Sequence, residues 1–454
     1  MKTIRIGGAL GYWGDRTDAL IDLLNGGPLD YVMMDYLAEI TMSILQKQRK
    51  EDPQTGYPAD FIPLMRQAIP LLHQKRVRLV TNAGGMNPLG LAQALIHEAK
   101  GLGRPGLRVG VVYGDDLMPR LAELTARGID FINLDTGAPQ REMPGPITSA
   151  NVYFGAFPVA EALSAGADIV VTGRVNDAAL ALGPAIHEFK WKPDQYDLLA
   201  CGTIAGHLIE CGGQASGGNF NGGWQRVPDL DRLGFPIAEL GEDGSLVMTI
   251  HPGQGGLMTP AVVKEQLLYE IGDPSAYVVP DVTCDLTELE VDDLGNNRVR
   301  VKGTKGHPPP SHYKVSMSYE GGYRIVTGLI YTWPDCIAKA KASSELILKR
   351  LARLGVPYRD VLVSIFGSDA VHGPMSQGGK DPDEVYLRMA FLVDDPVTAD
   401  RISREVITHV LCGIPTGCLP DVFRPAPHHQ IVYWPSLIPK SEVTPVVKIT
   451  GGAA

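Results

Sequence analysis

The run Leu107-Arg108-Val109-Gly110-Val111-Val112-Tyr113-Gly114-Asp115-Asp116 sets the architecture expected of the N-terminal half. Its valines fall on both faces of an extended chain, so neither face is left for solvent. A strand of that kind is covered by helices on both sides, as in a parallel sheet. The flanking sequence has matching periodicities. Short apolar runs at Thr3–Ile6, Tyr31–Met34, Val77–Val80, Phe131–Leu134 and Asp168–Thr172 read as further strands. Amphipathic stretches at Thr17–Leu24, Leu89–Ala99 and Met118–Ala126 read as helices between them. Alternating strands and helices build βαβ units. The expectation is an α/β fold with a doubly wound, mainly parallel sheet in the N-terminal half, an irregular barrel being the second choice.

Residues 1–223 are expected to form this domain, which ends in the glycine-rich stretch Gly202–Gly223. Short runs at Ser245–Ile250, Thr283–Glu290, Arg298–Lys302 and Lys314–Tyr319, with one helical stretch at Pro260–Ile271, predict an α+β region over residues 224–320. Over residues 321–440 the order reads β-α-β-β-α-β, that of a ferredoxin-like domain. Ser441–Ala454 reads as a tail.

A chain of 454 residues exceeds a single core and calls for several domains. With 44% hydrophobic and 20% charged residues it is globular rather than disordered. A net charge of −10 argues against a nucleic-acid partner, which needs a basic stripe. No apolar run approaches the roughly 18 residues of a membrane helix, and the N-terminus reads as a strand rather than a signal peptide. Six cysteines without a C-x-x-C pair are no disulfide framework, so a reducing, cytoplasmic setting is expected.

The informative residues follow the strands. The expected loops are Gly7-Gly8-Ala9-Leu10-Gly11, Asp35-Tyr36, Thr81-Asn82-Ala83-Gly84-Gly85, Gly114-Asp115-Asp116, Asp135-Thr136-Gly137 and Gly173-Arg174-Val175-Asn176-Asp177. In parallel α/β folds such ends share one edge of the sheet, where ligands bind. Asn82, Gly84, Gly85, Asp115, Asp135, Asn176 and Asp177 are therefore candidate substrate contacts, against the plainer reading of turn and cap residues. Asp35 and Glu39 would share a helix face, and paired carboxylates suit acid–base work. Arg174 is a candidate holder of a carboxylate or phosphate. Gly8 and Gly11 resemble a phosphate loop, and Gly253, Gly255 and Gly256 in His251-Pro252-Gly253-Gln254-Gly255-Gly256 offer a second anion cradle. A tight turn is the competing reading of each.

Gly206-His207-Leu208-Ile209-Glu210-Cys211 is the most unusual stretch. On a helix His207, Glu210 and Cys211 share one face. His207 and Glu210 are the preferred acid–base candidates, and Cys211 is a candidate nucleophile. The plainer reading is a small-residue helix with a buried cysteine. No metal site is assigned, because no further ligands present themselves.

Several of these stretches together resemble the acyclic terpene utilisation A family: Asp35-Tyr36-Leu37-Ala38-Glu39, Thr172-Gly173-Arg174-Val175, Ile186-His187-Glu188-Phe189, Gly206 to Gln214, and Glu265 to Pro274. The likeness covers residues 1 to roughly 345. It implies a bacterial catabolic protein acting in the breakdown of acyclic terpenes such as citronellol, or of related branched acids as CoA esters. It carries no catalytic roles with it. A small ferredoxin-like C-terminal domain is found in some members.

The functional expectation is a hydro-lyase or isomerase acting on a small carboxylic acid or its acyl-CoA ester. No dinucleotide fingerprint or P-loop is present, so no cofactor is expected, and CoA enters only as part of the substrate. A non-catalytic acyl-ligand binding subunit and a Cys211-dependent acyl transferase or thioesterase are the alternatives. A homo-oligomer is possible.

Overall fold

The computed structural model describes residues 2–376, 382–420 and 424–452. The chain divides into two compact units. The first is Met1–Met143, Ile147–Ser318 and Tyr433–Ala454; the second is Pro144–Pro146 and Tyr319–Val432. It is a mixed α/β structure with one large sheet.

Five parallel strands form the middle of the first unit: β1 (Thr3–Gly8), β2 (Tyr31–Met34), β3 (Arg78–Thr81), β4 (Arg108–Tyr113) and, after β5 (Ile147–Val152), β6 (Ile169–Thr172). Their spatial order is β1-β2-β3-β6-β4. Val32 lies opposite Leu79, Val80 opposite Val170, and Gly110 opposite Val170. Val109, Val111 and Val112 are all buried, as a two-faced strand requires. Gly110 has a packing reason. A methyl group there would lie 2.9 Å from the Ala162 side chain and 3.0 Å from that of Ala167, so the glycine lets the helix Phe157–Ser164 sit close.

The expectations for residues 224–320 and for the tail need correction. β7 (Ile237–Gly241), β8 (Leu246–Thr249), β11 (Glu290–Gly295) and β12 (Arg298–Lys302) extend the same sheet in the order β11-β12-β8-β7-β1. β7 runs antiparallel to β1, with Ala238 opposite Ile6. The free backbone edge of β1 needed a partner, and β7 supplies it. The sheet is therefore mixed rather than mainly parallel, and residues 224–320 share its core. β9 (Tyr277–Val278), β10 (Thr283–Asp285) and β13 (Lys305–His307) make a small separate sheet. Ser441–Ala454 is no tail: it contains β18 (Val446–Gly451), which covers the far edge antiparallel to β4, Val447 opposite Val112.

Phe131–Leu134 forms no strand. Phe131 has a left-handed backbone and its carbonyl accepts from Trp434 Nε1 at 2.9 Å. β5 lies outside the large sheet and pairs with β14 (His312–Thr332).

In the second unit the elements run β14, helix Cys336–Arg353, β15 (Asp360–Phe366), β16 (Glu384–Val393), helix Pro396–Ile407, β17 (His428–Pro439), with sheet order β15-β16-β14-β17. Its core includes Ile325, Leu329, Ile347, Leu387, Phe391 and Ile402.

Candidate active site

Four strand-end loops are stitched together by side chains. After β2, Asp35 Oδ1 accepts from Asn82 Nδ2 at 2.6 Å and from the Leu37 amide at 3.0 Å. Asn82 Oδ1 in turn accepts the Tyr36 amide at 2.7 Å. This ties the β2 loop to the β3 loop. After β4, Asp115 Oδ2 accepts from the Arg174 amide at 3.0 Å and from Asn151 Nδ2 at 2.8 Å, which ties the β4 loop to the β6 loop. Arg174 then joins both pairs. Its guanidinium is 2% exposed, donates to the Leu37 carbonyl at 2.5 Å, lies 3.0 Å from Asp177, and stacks 4.2 Å over the Tyr153 ring.

The electrostatics follow from that burial. Burial pushes Asp35 up to about 6 against the pull of Arg174 and Asn82, and the charge of Glu210 pushes the same way. Burial likewise raises Asp115 to about 6, opposed by the hydrogen bonds from Arg174 and Asn151. Asp177 is raised well above the usual carboxylate range by burial, with Asp35 and Glu210 adding to the push and Arg174 opposing it. Asp35 and Asp177 thus crowd one buried cation, and burial disfavours the ionised form of each.

The helix Tyr196–Glu210 supplies the second half of the site. Its small residues serve close packing: a methyl at Gly206 would sit 2.5 Å from the Ala178 carbonyl oxygen, and one at Gly202 would sit 2.6 Å from Leu182 Cδ1. In its last turn His207 Nδ1 lies 3.0 Å from Glu210 Oε1, and His207 Nε2 lies 3.0 Å from the Gln266 carbonyl oxygen. Both ring nitrogens face acceptors. A neutral imidazole has only one N–H, so this arrangement favours the doubly protonated ring. Burial alone would lower His207, but the hydrogen bond and charge of Glu210 and the Gln266 carbonyl outweigh it, and the net direction is upward. The negative end of the helix dipole favours the same cation. Gln266 Nε2 closes the clamp by donating to the His207 carbonyl at 3.1 Å. Glu210 Oε2 is buried with no partner.

Other expected residues are not brought into this cluster in the way their residue types suggested. Asp35 does not share a helix face with Glu39, because the helix begins only at Thr41. Glu39 is exposed, though near enough to add to the upward push on Asp177. Asp135 is exposed in a turn closed by Asn133 Oδ1 on its amide and does not follow a strand of the large sheet. Asn176 packs beside Tyr277, whose ring lies among the surroundings of His207. Gly84 and Gly85 serve the turn and its packing, with Gly85 left-handed and a methyl at Gly84 meeting the Thr172 carbonyl at 2.4 Å.

Neither anion cradle is formed. Gly8 and Gly11 donate their amides to Pro236 O and Asp15 Oδ2, and a methyl at Gly8 would meet the Ile209 carbonyl. These glycines let the loop approach the end of the His207 helix. Gly255 and Gly256 donate to Arg232 O and Pro228 O, and Gly253 is an exposed turn residue. Cys211 caps the helix, and burial with the Glu210 charge pushes its thiol up to about 12, so it stays protonated and poorly nucleophilic. Among the described residues no group of three or more His, Cys, Asp or Glu is arranged to hold a metal ion, and no helix is long and apolar enough to cross a membrane.

Gln266, Asn151, Tyr153, Tyr277 and Tyr433 were not picked out from the sequence. Only Gln266 carried a signal: a lone amide among Val262, Val263 and Leu267 on a helix that buries them all.

No curated protein and no solved structure gives a significant match to this chain. The family model for "Acyclic terpene utilisation family protein AtuA" matches residues 4–449. The match runs through both units, well past the roughly 345 residues over which the resemblance was read. With nearly its whole length covered, this chain belongs to the acyclic terpene utilisation family AtuA.

Proposed function

We propose that the chain is a hydro-lyase or isomerase in the catabolism of acyclic terpenes, acting by acid–base catalysis on a small branched carboxylic acid or its acyl-CoA ester. The observation that carries this reading is Glu210. One of its oxygens is tied to a histidine locked at both ring nitrogens, and the other is buried and unpartnered. In this reading Glu210 Oε2 removes a proton from the substrate. His207, held by Gln266, stabilises the charge state of Glu210. Asp35, raised to about 6, is able to return a proton near neutral pH. Arg174 orients the anionic end of the substrate. The reaction so drawn needs no redox cofactor, and CoA enters only as part of the substrate. The six free cysteines suit a cytoplasmic setting.

The alternative of a non-catalytic binding subunit is separated by activity. The purified full chain is assayed for hydration, dehydration and double-bond migration with short branched hydroxy and unsaturated acids and their CoA esters. Glu210→Gln should lower turnover by about 10²-fold or more, the usual share of a general acid or base, while leaving thermal unfolding within a few degrees. Full activity in that variant would exclude Glu210 as the proton carrier. Absence of turnover in the wild type across this set would favour the binding subunit.

A further inference from the structure

Behind Arg174 lies a cluster that the acid–base reading leaves unused. Tyr153 sits between two cations: the Arg174 guanidinium 4.2 Å over its ring and the Lys314 ammonium 5.1 Å over its ring. Lys314 also lies 5.8 Å over the ring of Tyr433. Lys314 is exposed and makes no ion pair among the described residues, whereas Arg174 is 2% and Tyr153 6% exposed. The line of residues therefore leads from solvent to a buried guanidinium.

Three polar atoms here are buried without a hydrogen-bond partner: Arg174 Nε, the Tyr153 hydroxyl and the Tyr433 hydroxyl. The Tyr153 hydroxyl interacts with both the Tyr433 hydroxyl and the Arg174 guanidinium, but none of the three atoms completes a hydrogen bond of good geometry. Buried donors left unpaired are costly. All three are N–H or O–H groups, so the atom that would satisfy them together is an acceptor. Arg174 also lacks a full counter-charge, because burial holds Asp177 far above the usual carboxylate range. A buried guanidinium in that state attracts an anion.

We infer that Arg174 Nε, Tyr153, Tyr433 and Lys314 form the subsite for a carboxylate group of the substrate. This assignment deepens the acid–base reading and rests on it for the identity of the site. A monoanion fits better than phosphate. There is one buried cation, and Asp35 and Glu39 lie close enough to oppose a second negative charge. Lys314 guides the anion in, and the two phenols and Arg174 Nε hold it, leaving the carbon skeleton toward Glu210.

The test is binding, which needs no turnover. The full chain is titrated calorimetrically with isobutyrate, with isobutyramide of the same shape but no charge, and with inorganic phosphate. Isobutyrate should bind at least tenfold more tightly than either. Tyr153→Phe and Tyr433→Phe, which keep the rings, should each weaken isobutyrate about tenfold or more, as a hydrogen bond to a charged group implies. Lys314→Gln should weaken it several-fold and reduce its salt dependence. Should Tyr153→Phe not fold, Tyr433→Phe carries the test. Equal binding of the amide, preference for phosphate, or unchanged affinity in both phenylalanine variants would overturn the assignment. Titrating the Glu210→Gln protein separates the two proposals: isobutyrate binding retained without turnover supports both. Binding lost in the phenylalanine variants of a chain that shows no turnover keeps the subsite and removes only the lyase or isomerase reading.

Discussion

Replacing Asp115 by Asn should flatten the dependence of stability on pH. Asp115 is 3% exposed, and in the folded chain its carboxyl is raised from 3.8 to about 6 by burial. A difference of that size corresponds to about 3 kcal/mol against the ionised form. The folded state binds the proton more tightly than the unfolded state. This contribution is therefore fully favourable below pH ~4 and is lost as pH rises through about 6. Between pH 5 and pH 8 the loss from this one group is about 1.4 kcal/mol. Asparagine keeps the shape, and its oxygen still accepts from the Arg174 amide and Asn151 Nδ2, but it carries no charge to desolvate. The hydrogen bonds it accepts are weaker than those to a carboxylate, so its absolute stability at pH 8 rises by less than the full amount. Its pH dependence, however, is free of this titration. Urea unfolding at pH 5 and pH 8, followed by tryptophan fluorescence, gives the difference for wild type and variant. The drop between the two pH values should be smaller in Asp115→Asn by about 1 kcal/mol or more. An identical drop in both proteins would show that Asp115 does not titrate with a raised value, and the account of burial raising the strand-end carboxyls would fall with it.

Two further outcomes follow from packing and burial. Gly206→Ala should destabilise the first unit by about 1–3 kcal/mol, because the added methyl meets the Ala178 backbone rather than a movable side chain; a urea midpoint equal to wild type would refute the close helix contact. Alkylation with iodoacetamide at pH 7.5 should modify Cys412 and Cys418 first, since both are exposed, with Cys211 slower by about tenfold or more because its thiol is pushed up to about 12. Peptide mass mapping reads the order, and rapid labelling of Cys211 would restore it as a nucleophile.

The parallel part of the fold was legible because its signal is local. The valines of β4 declare two covered faces, and Gly110 marks a close helix within the same few residues. Asp35, Asn82, Asp115 and Arg174 were legible as a group through the rule that parallel strand ends share an edge. His207 and Glu210 were legible through helical spacing. The extension of the sheet by β7, β8, β12 and β11 was not, because an antiparallel edge strand shows the same alternation whichever sheet it joins. Phe131–Leu134 was apolar enough for a strand, but its left-handed residue and the Trp434 contact are set by distant chain. The glycines misled for a different reason. Gly8, Gly11, Gly255 and Gly256 have the composition of an anion nest, and whether an amide faces a ligand or another carbonyl is decided by tertiary contacts. Tyr153 and Tyr433 gave no sign, since a tyrosine's sequence context does not reveal that its hydroxyl lacks a partner.

The position of β18 has a consequence for how the first unit is made. β4 is synthesised early, and its outer edge carries backbone donors and acceptors that only β18 pairs. Between them in the chain comes the whole of Tyr319–Val432, the bulk of the second unit. During synthesis the large sheet therefore stays open on one side until the second unit has left the ribosome. Closing it requires a contact between segments far apart in sequence, which is slow relative to local pairing. For that interval the β4 edge is a template for strands of other chains. The second unit, whose own strands and helices are contiguous, is free to fold in the meantime. The first unit begins first and finishes last, and the stage most exposed to misassembly is the wait for its final strand.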